Sequence, residues 1–287
     1  MERLFFVIIG TFYFLLALLL FGLNGLVFLT LIIHKEFKTK TYRIIANLCV
    51  ACMMQLFVFA IGGIMTICRS VFNHYLDRVL GVIIQSSWLL YVGITLTLAI
   101  DRLLIFVCSK NYSVITTTFL TLSWLLWLLN AIGMCFPGHG ATYSRDKVLW
   151  TYADNKGAAV FIAIEPYCEI GIFCAVFVIY LIAFGYLVKV KLSSTHDIGS
   201  IKTELRIFVV AVISFTYEAS YIAYSYWAPG NPSRHVPSEV VLNFVWMLEC
   251  GMFASLTVIM SGSLRRGMKK MVCRKNTISS VHAIHTQ

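Results

Sequence analysis

The sequence predicts an all-α membrane protein whose core is a bundle of seven transmembrane helices. Seven long apolar runs contain none of the 23 Lys and Arg residues of the 287-residue chain. Each run reaches the roughly 20 residues that a helix needs to cross the hydrocarbon core of a bilayer, and a helix satisfies its own backbone hydrogen bonds there. The predicted spans are residues 4–33, 44–67, 79–100, 114–136, 158–188, 207–227 and 240–261.

The spacers between the runs are too short for a separate soluble domain. We therefore expect one membrane domain over residues 1–264 and a basic tail over residues 265–287. Sixteen of the basic residues follow runs 1, 3, 5 and 7, whereas seven lie in the other gaps and at the amino terminus. Because short cytoplasmic loops carry an excess of Lys and Arg, this distribution predicts an outer amino terminus and a cytoplasmic carboxyl terminus.

The residue types that the runs lack exclude several classes of protein. All seven His residues lie outside the runs, so the His or acid clusters of an intramembrane metal site are not predicted. The seventh run has no Lys to carry retinal, and the chain has no G-x-S-x-G motif. We therefore expect neither an enzyme nor a bound metal or cofactor. The net charge of +10 indicates topology and attraction to anionic membrane lipid, not nucleic-acid binding.

Four acids, in contrast, lie inside the last three runs. A charged side chain near the centre of a span costs about 2–3 kcal/mol to insert, and it usually faces the bundle interior or a water-filled cavity. Two of the acids are four residues apart and therefore share one face of helix 5, and aromatic residues lie nearby. The candidate ligand-binding residues are Glu165, Glu169, Glu218, Glu249, Tyr217, Tyr221 and Trp246.

Two interpretations of these residues stay open. One is an outward-open pocket between helices 5, 6 and 7, with aromatic walls and a few polar anchors as in a small-molecule site. Its acids would be counter-ions for a cationic ligand or hydrogen-bond donors to a neutral one. The other is that protonated Glu side chains bond to neighbouring helices, while Tyr and Trp anchor the membrane interface.

Local motifs resemble those of rhodopsin-like G-protein-coupled receptors. Helix 3 ends in Asp101-Arg102, which resembles the Asp-Arg-Tyr motif of that family with Leu103 in place of Tyr. Asn24 in helix 1 resembles the helix 1 Asn of the same receptors. The resemblance implies that Arg102 holds helix 6 in the resting state, with Glu204 as its partner, and contacts the G protein in the active state.

Several features of that family are missing. Residues 47–52 resemble its Asn-Leu-x-x-Ala-Asp pattern, but Cys52 replaces the Asp that binds sodium there, which argues against sodium regulation. Helices 6 and 7 lack the usual proline motifs, and the Cys residues of the usual disulfide between helix 3 and the second outer loop are absent. Cys68, Cys135 and Cys168 lie near the predicted outer face, so one other bridge stays open.

This combination resembles the nematode serpentine chemoreceptors of class T, the Srt family. The matching stretches include residues 40–43 before helix 2, Ser87-Trp88 before Arg102 in helix 3, and residues 261–266 after helix 7. The resemblance covers nearly the whole chain. It implies a receptor for an odorant or another small molecule that signals through a heterotrimeric G protein. It places the chain in the plasma membrane of a sensory neuron, with the sensory cilium as one candidate location.

Basic and apolar residues alternate after the last run. Arg265, Arg266, Lys269 and Lys270 are interleaved with Leu and Met, a pattern typical of an amphipathic helix that lies on anionic lipid. Cys273 follows and is a candidate site of lipidation. We therefore expect membrane lipid to be a partner of this segment.

The alternative function is a seven-helix ligand-gated channel or small-solute transporter. A transporter more often shows inverted repeats and helices broken by Gly or Pro, and the sequence shows no such repeat. A channel with an intracellular amino terminus would need the opposite distribution of basic residues.

The charge count gives a direct test of orientation. An epitope tag before Glu2 should bind antibody on intact cells, and a tag after Gln287 should bind only after permeabilisation, because the basic segments stay on the cytoplasmic side. An amino-terminal tag that needs permeabilisation would contradict the receptor hypothesis.

Overall fold

The computed structural model describes residues 2–107, 113–136, 139–152, 156–193, 198–227 and 236–271. Seven of its helices are long and apolar enough to cross a membrane, which confirms the predicted bundle. The helices are α1 Glu2–Ile33, α2 Lys40–Cys68, α3 His74–Val107, α4 Ser113–Cys135, α5 Lys156–Ser193, α6 Ile198–Trp227 and α7 Val236–Met260. Between α4 and α5 lie two strands, β1 Ala141–Ser144 and β2 Leu149–Tyr152, which define one end of the bundle as the hairpin end.

Several helices extend beyond the apolar runs. Helix α3 has 34 residues, which corresponds to about 51 Å at a rise of 1.5 Å per residue, against a hydrocarbon core of about 30 Å. Its ends therefore lie in the membrane interface, where long basic side chains can reach water. The apolar pattern identified the part of each helix inside the hydrocarbon and missed the flanking turns, which is why Asp77 and Arg78 were placed outside helix 3.

Helix α3 is the centre of the bundle. It packs against α2, α4, α5, α6 and β1, whereas α1 packs against α2 and α7. The crossing of α1 and α2 is close, because a Cβ atom on Gly10 or Gly63 would lie within 2.8 Å of the backbone oxygen of the other residue. Small residues of this kind let membrane helices approach each other closely.

Two asparagines singled out by the motif analysis join helices to one another. The Asn24 side-chain amide donates to the backbone oxygen of Cys250 at 3.0 Å, which ties α1 to α7. The Trp124 indole N–H donates to Oδ1 of Asn47 at 2.9 Å, which ties α4 to α2. Such bonds hold membrane helices together because lipid offers the polar groups no other partner.

The spacer between α4 and α5 forms a β-hairpin that the sequence analysis did not predict. Strands β1 and β2 pair antiparallel, with Ala141 opposite Tyr152 and Ser144 opposite Leu149. Val148 ends the turn with a φ of 55°, a left-handed conformation that is unfavourable for a β-branched residue. The side-chain amide of Asn243 on α7 donates to the Val148 backbone oxygen at 3.2 Å and helps to hold this conformation.

The first turn of α3 anchors the hairpin. Oδ1 of Asp77 accepts a hydrogen bond from the backbone N–H of Tyr143 at 2.9 Å. The Arg78 guanidinium donates to the backbone oxygens of Phe136 at 3.0 Å and His139 at 2.9 Å. The Tyr143 hydroxyl lies 2.5 Å from Oγ1 of Thr66, and burial raises the pKa of Tyr143 to about 12, so this hydroxyl stays protonated at neutral pH.

These contacts hold the segment between α4 and α5, which contains no Cys. Cys68, Cys135 and Cys168 are free cysteines, so the bridge that the sequence left open is not formed among them. An acid and a base on α3 therefore hold the hairpin and the residues before it by hydrogen bonds.

Residues 262–271 form a further helix after α7. Leu264 and Gly267 face the bundle, whereas Arg265, Lys269 and Lys270 are exposed. Nε2 of His34 lies 3.2 Å from the Gly267 backbone oxygen and fixes the helix against the end of α1. Cys273, the candidate lipidation site, lies outside the described residues.

The close contact between α3 and the hairpin predicts a stability effect. A Cβ atom at Gly81 would lie 1.9 Å from the backbone oxygen of Ala141, so Gly81→Ala should push the hairpin off α3 and destabilise the protein by about 1–3 kcal/mol. The measurement is the thermal unfolding temperature of the purified protein in detergent. Gly171→Ala is the matched control, because its Cβ would meet nothing within 4 Å. Equal unfolding temperatures for the two variants would show that the hairpin does not rest on this contact.

Candidate ligand pocket and Arg102 cluster

A cavity of about 160 Å³ lies against the inner side of the hairpin. We call it the hairpin pocket. Strand β2 and helices α3, α5, α6 and α7 all contribute to its wall, which combines aromatic and aliphatic side chains with a few polar groups, as is usual for a small-molecule site. Its lining residues are Gln85, Trp88, Leu149, Trp150, Thr151, Tyr152, Glu165, Glu169, Tyr221, Ile222, Leu242 and Trp246.

Two carboxyl groups of α5 form the polar side of the hairpin pocket. Glu165 accepts hydrogen bonds from the Gln85 side-chain amide and from the Tyr152 hydroxyl, the latter at 2.7 Å. Glu169 is buried and accepts a hydrogen bond from the indole N–H of Trp88. The spacing of four residues puts both carboxyl groups on the face of α5 that meets α3. Neutral donors on α3 and β2 therefore hold both groups in place.

Three aromatic rings close the pocket on the side towards the bundle centre. The Trp88 and Trp246 rings meet edge to face with centroids 5.6 Å apart, and Tyr221 lies 6.1 Å from Trp88 and 6.4 Å from Trp246. The Phe59 ring of α2 packs edge to face against the Trp246 ring, with centroids 5.4 Å apart. We call the three rings of Trp88, Tyr221 and Trp246 the floor of the hairpin pocket. Aromatic pairs in this arrangement contribute about 0.5–1.5 kcal/mol each beyond the area they bury, so the floor is a well-defined surface.

A buried glutamine fixes the floor to three helices. Oε1 of Gln55 accepts a hydrogen bond from the Trp246 indole N–H at 2.8 Å and lies 3.6 Å from Sγ of Cys250. Its Nε2 donates to the backbone oxygen of Ser87 at 3.4 Å. Gln55 thereby connects α2 with α3 and α7 directly next to the hairpin pocket.

The predicted site residues separate into two groups. Glu165, Glu169, Tyr221 and Trp246 line the hairpin pocket. Tyr217 does not line it, because its hydroxyl donates to the backbone oxygen of Val245 at 2.8 Å and ties α6 to α7.

Glu218 and Glu249 lie one helical turn deeper than the pocket. Each is three residues beyond a lining residue of its own helix, about 4.5 Å further towards the bundle centre. Both are buried, and among the described residues neither carboxyl group has a hydrogen-bond partner. No group of three or more His, Cys, Asp and Glu side chains in the described part of the chain is placed to hold a metal ion.

The sequence analysis missed the contribution of α3 and the hairpin to this site. Gln85 and Trp88 supply the donors to Glu165 and Glu169, and Tyr152 supplies a third. A detectable signal was present, since Gln85 is a side chain rich in hydrogen-bonding groups inside an otherwise apolar run. A neutral amide costs less to insert into a membrane than a charge, so the residue type alone marks Gln85 as a site residue less strongly than it marks Glu165.

A second polar cluster lies at the opposite end of α3. Asp101 and Arg102 are both fully buried, with Nη2 of Arg102 at 2.6 Å from Oδ2 of Asp101. The Thr41 hydroxyl of α2 donates to the same Asp101 oxygen at 2.8 Å and accepts a hydrogen bond from Arg102. The cluster therefore locks α3 to the beginning of α2. The side chain of Glu204, the predicted partner of Arg102, lies outside the described part of the chain.

The floor of the pocket gives a testable stability effect. Gln55→Leu leaves the buried indole N–H of Trp246 without its acceptor, which should destabilise the protein by about 1–3 kcal/mol. Thermal unfolding in detergent measures the effect. Phe57→Leu on the same helix is the control, because Phe57 is half exposed on the outer surface of the bundle. A Gln55→Leu variant as stable as the control would show that the floor does not need this bond.

Comparison with known proteins identifies both a family and a fold. The sequence model of the family described as serpentine type 7TM GPCR chemoreceptor Srt matches residues 3–281. The crystal structure of squid rhodopsin is similar, with a TM-score of 0.76 and 15% sequence identity, covering 96% of this chain and 87% of that chain. None of the curated proteins matches the chain.

The likeness to squid rhodopsin confirms the rhodopsin-like fold. The family match confirms a multi-pass receptor of the cell membrane and does not favour the channel or transporter alternative. The family is of the receptor type, which in general is not enzymatic. The match extends over nearly all of the chain, and the chain therefore belongs to the Srt family of serpentine G-protein-coupled chemoreceptors.

Proposed function

We propose that the hairpin pocket is the ligand site of this chemoreceptor and that the Arg102 cluster is its switch towards a heterotrimeric G protein. The observation that carries the proposal is the pair of carboxyl groups, Glu165 and Glu169, held by neutral donors in a pocket with aromatic walls. Small-molecule sites combine an apolar wall with a few fixed polar groups that orient the ligand. A ligand that donates hydrogen bonds fits this arrangement.

The aromatic floor connects the ligand to the helices that would move. Tyr221 of α6 and Trp246 of α7 both touch Trp88 of α3, so a ligand on the floor contacts three helices at once. A ligand shifts a conformational equilibrium only by its difference in affinity for the two states. Contacts to several helices supply such a difference, because a displacement of one helix changes the shape of the pocket.

Glu218 and Glu249 are proposed to favour the ligand-bound arrangement. Their carboxyl groups are buried and have no hydrogen-bond partner among the described residues. A buried polar group without a partner costs about 1–3 kcal/mol. A displacement of α6 or α7 that gives either group a partner recovers this free energy. The two acids therefore favour such a displacement. Tyr217, bonded across the same pair of helices, is proposed to set the path of that displacement.

The Arg102 cluster is proposed to open when the receptor becomes active. In the present arrangement the Arg102 guanidinium is fully buried against Asp101 and Thr41, so it offers no surface to a partner protein. Release of Arg102 exposes a charge for the G protein, and Glu204 is proposed to contribute to the resting state. The basic helix at residues 262–271 and Cys273 are proposed to hold this end of the receptor on anionic lipid.

Removal of the switch residue should uncouple the receptor. Arg102→Ala should abolish the ligand-evoked second-messenger response of cells that express the receptor with a G protein and are given a panel of small odorants. Because Arg102→Ala also leaves Asp101 buried without its counter-ion, at a cost of about 3–5 kcal/mol, surface expression is measured in parallel. The double variant Asp101→Asn/Arg102→Ala removes that unpaired charge, and Arg266→Ala, an exposed residue of the basic helix, serves as control. A normal response of the double variant at equal surface expression would overturn the proposed switch.

The deep acids give a second signalling test. Glu218→Gln and Glu249→Gln should each abolish the ligand response without reducing surface delivery, because an amide cannot form the charge-assisted hydrogen bond that a carboxyl group can form with a donor gained on activation. Dose–response curves in the same cells measure the effect, with Glu36→Gln in the exposed turn between α1 and α2 as control. Normal curves for both variants would favour helix-to-helix packing as their role.

A further inference from the structure

A second cavity adjoins the hairpin pocket on the side of the bilayer. It has a volume of about 300 Å³ and lies between α3, α4 and α5. Tyr152, Glu165 and Glu169 line both this cavity and the hairpin pocket. The same carboxyl groups therefore separate two adjoining spaces, one under the hairpin and one towards the outside of the bundle. We call the second space the lateral cavity.

The outer rim of the lateral cavity faces lipid. Val160 and Ile164 line it, and each is 55% exposed on the surface of α5. Both residues belong to the part of α5 that is apolar enough to span the membrane, Gly157–Tyr186. Helices α4 and α5 each pack mainly against α3, which leaves the space between them as a cleft. An apolar molecule dissolved in the bilayer can reach this cleft without passing through water.

The hairpin forms one wall of the site. Its strands are fixed to α3 by Asp77 and Arg78, and the turn carries Lys147 at 3.9 Å from Glu239 of α7. Residues of β2 then form the wall of the hairpin pocket on that side. The lateral cavity adds an approach to the same carboxyl groups from the side of the bilayer.

The charges of the two cavities select one kind of ligand. Glu165 and Glu169 are the acids of both linings, and the described lining residues of the two cavities include no Lys, Arg or His. The protein groups bonded to Glu165 are the neutral Gln85 amide and Tyr152 hydroxyl. In a region of low dielectric constant, a positively charged group of the ligand is attracted to two carboxyl groups much more strongly than a neutral hydrogen-bond donor is.

We propose that the receptor binds a lipophilic amine that enters from the bilayer through the lateral cavity, with its ammonium group at Glu165 and Glu169 and its apolar chain along Phe161 and Ile164. This inference rests on the proposed ligand site and adds the ligand class and the route of entry. An amine with a long chain concentrates in the membrane by about 0.8 kcal/mol per CH₂ group, so the local concentration at the cleft exceeds that in water.

The test uses the full receptor in lipid nanodiscs and a dodecylamine probe that carries a photoreactive diazirine in mid-chain. After illumination, mass spectrometry locates the adducts. We expect adducts on the α5 segment 160–164, reduced about tenfold or more in a Glu165→Gln/Glu169→Gln variant, which corresponds to loss of a charge-assisted hydrogen bond. Glutamine keeps an acceptor for Trp88 and Gln85 and preserves the packing. The dodecanoic acid probe with the same diazirine should give background labelling only, and equal labelling by both probes would overturn the inference.

A pair of variants tests the route separately from the site. Val160→Trp fills the rim of the lateral cavity, leaves the proposed chain contacts Phe161 and Ile164 in place, and should slow labelling about tenfold in a time course, within the range over which association rates of related variants differ. Ile162→Trp is the matched control, because Ile162 is equally exposed on α5 but does not line the cavity. Equal rates for the two variants, with labelling still dependent on the two acids, would overturn entry from the bilayer and leave the proposed ligand site intact. Equal labelling of the wild type and the Glu165→Gln/Glu169→Gln variant would overturn the proposal that the ligand is an amine. The proposed function is tested independently, by the signalling response of the Arg102 variants.

Discussion

The hydrocarbon core of a membrane offers no hydrogen-bond partners, so a buried polar group of this bundle can find a partner only within the protein. Helix α3 meets this constraint with an Asp-Arg pair at each end, Asp77-Arg78 and Asp101-Arg102. The pairs are 24 residues apart, or about 36 Å along the helix, slightly more than the thickness of the hydrocarbon. One pair holds the hairpin and the other holds α2. The central helix is therefore fixed at both edges of the membrane.

The same constraint explains which parts of the fold could be predicted. Lys and Arg are excluded from the hydrocarbon, so the runs without them identified all seven helices. The helix ends were not predictable in this way, because basic side chains extend from the interface to water and do not end a helix. The hairpin was missed because its stability depends on distant partners: the backbone of Tyr143 needs Asp77, and Val148 needs Asn243. Such pairs cannot be read from the local pattern of four-residue strands.

The candidate site was predicted in part for a related reason. A buried acid is costly enough to be recognised by its residue type, and a spacing of four residues places Glu165 and Glu169 on one face. Whether a helix turns that face to a cavity or to a packed neighbour depends on its rotation, which residue type does not reveal. Glu218 and Glu249 are therefore as conspicuous in sequence as Glu165, although they lie below the pocket floor. The donors on α3 are neutral, and only the fold brings them to the acids.

A fixed α3 restricts how a ligand can act at a distance. Because both ends of α3 are bonded to other elements, a displacement along α3 would break the hydrogen bonds of Asp101 and Arg102 to Thr41 and of Asp77 to Tyr143. Hydrogen bonds to charged groups contribute about 1.5–3 kcal/mol each. Helices α5 and α6 are less constrained, since an aromatic cleft of about 350 Å³ lies between them, lined by residues that include Phe184 and Phe208. The ligand site joins the fixed helix to these two through Trp88, Glu169 and Tyr221. In the proposed mechanism, movement of α5 and α6 against a stationary α3 therefore costs less free energy than movement of α3 itself.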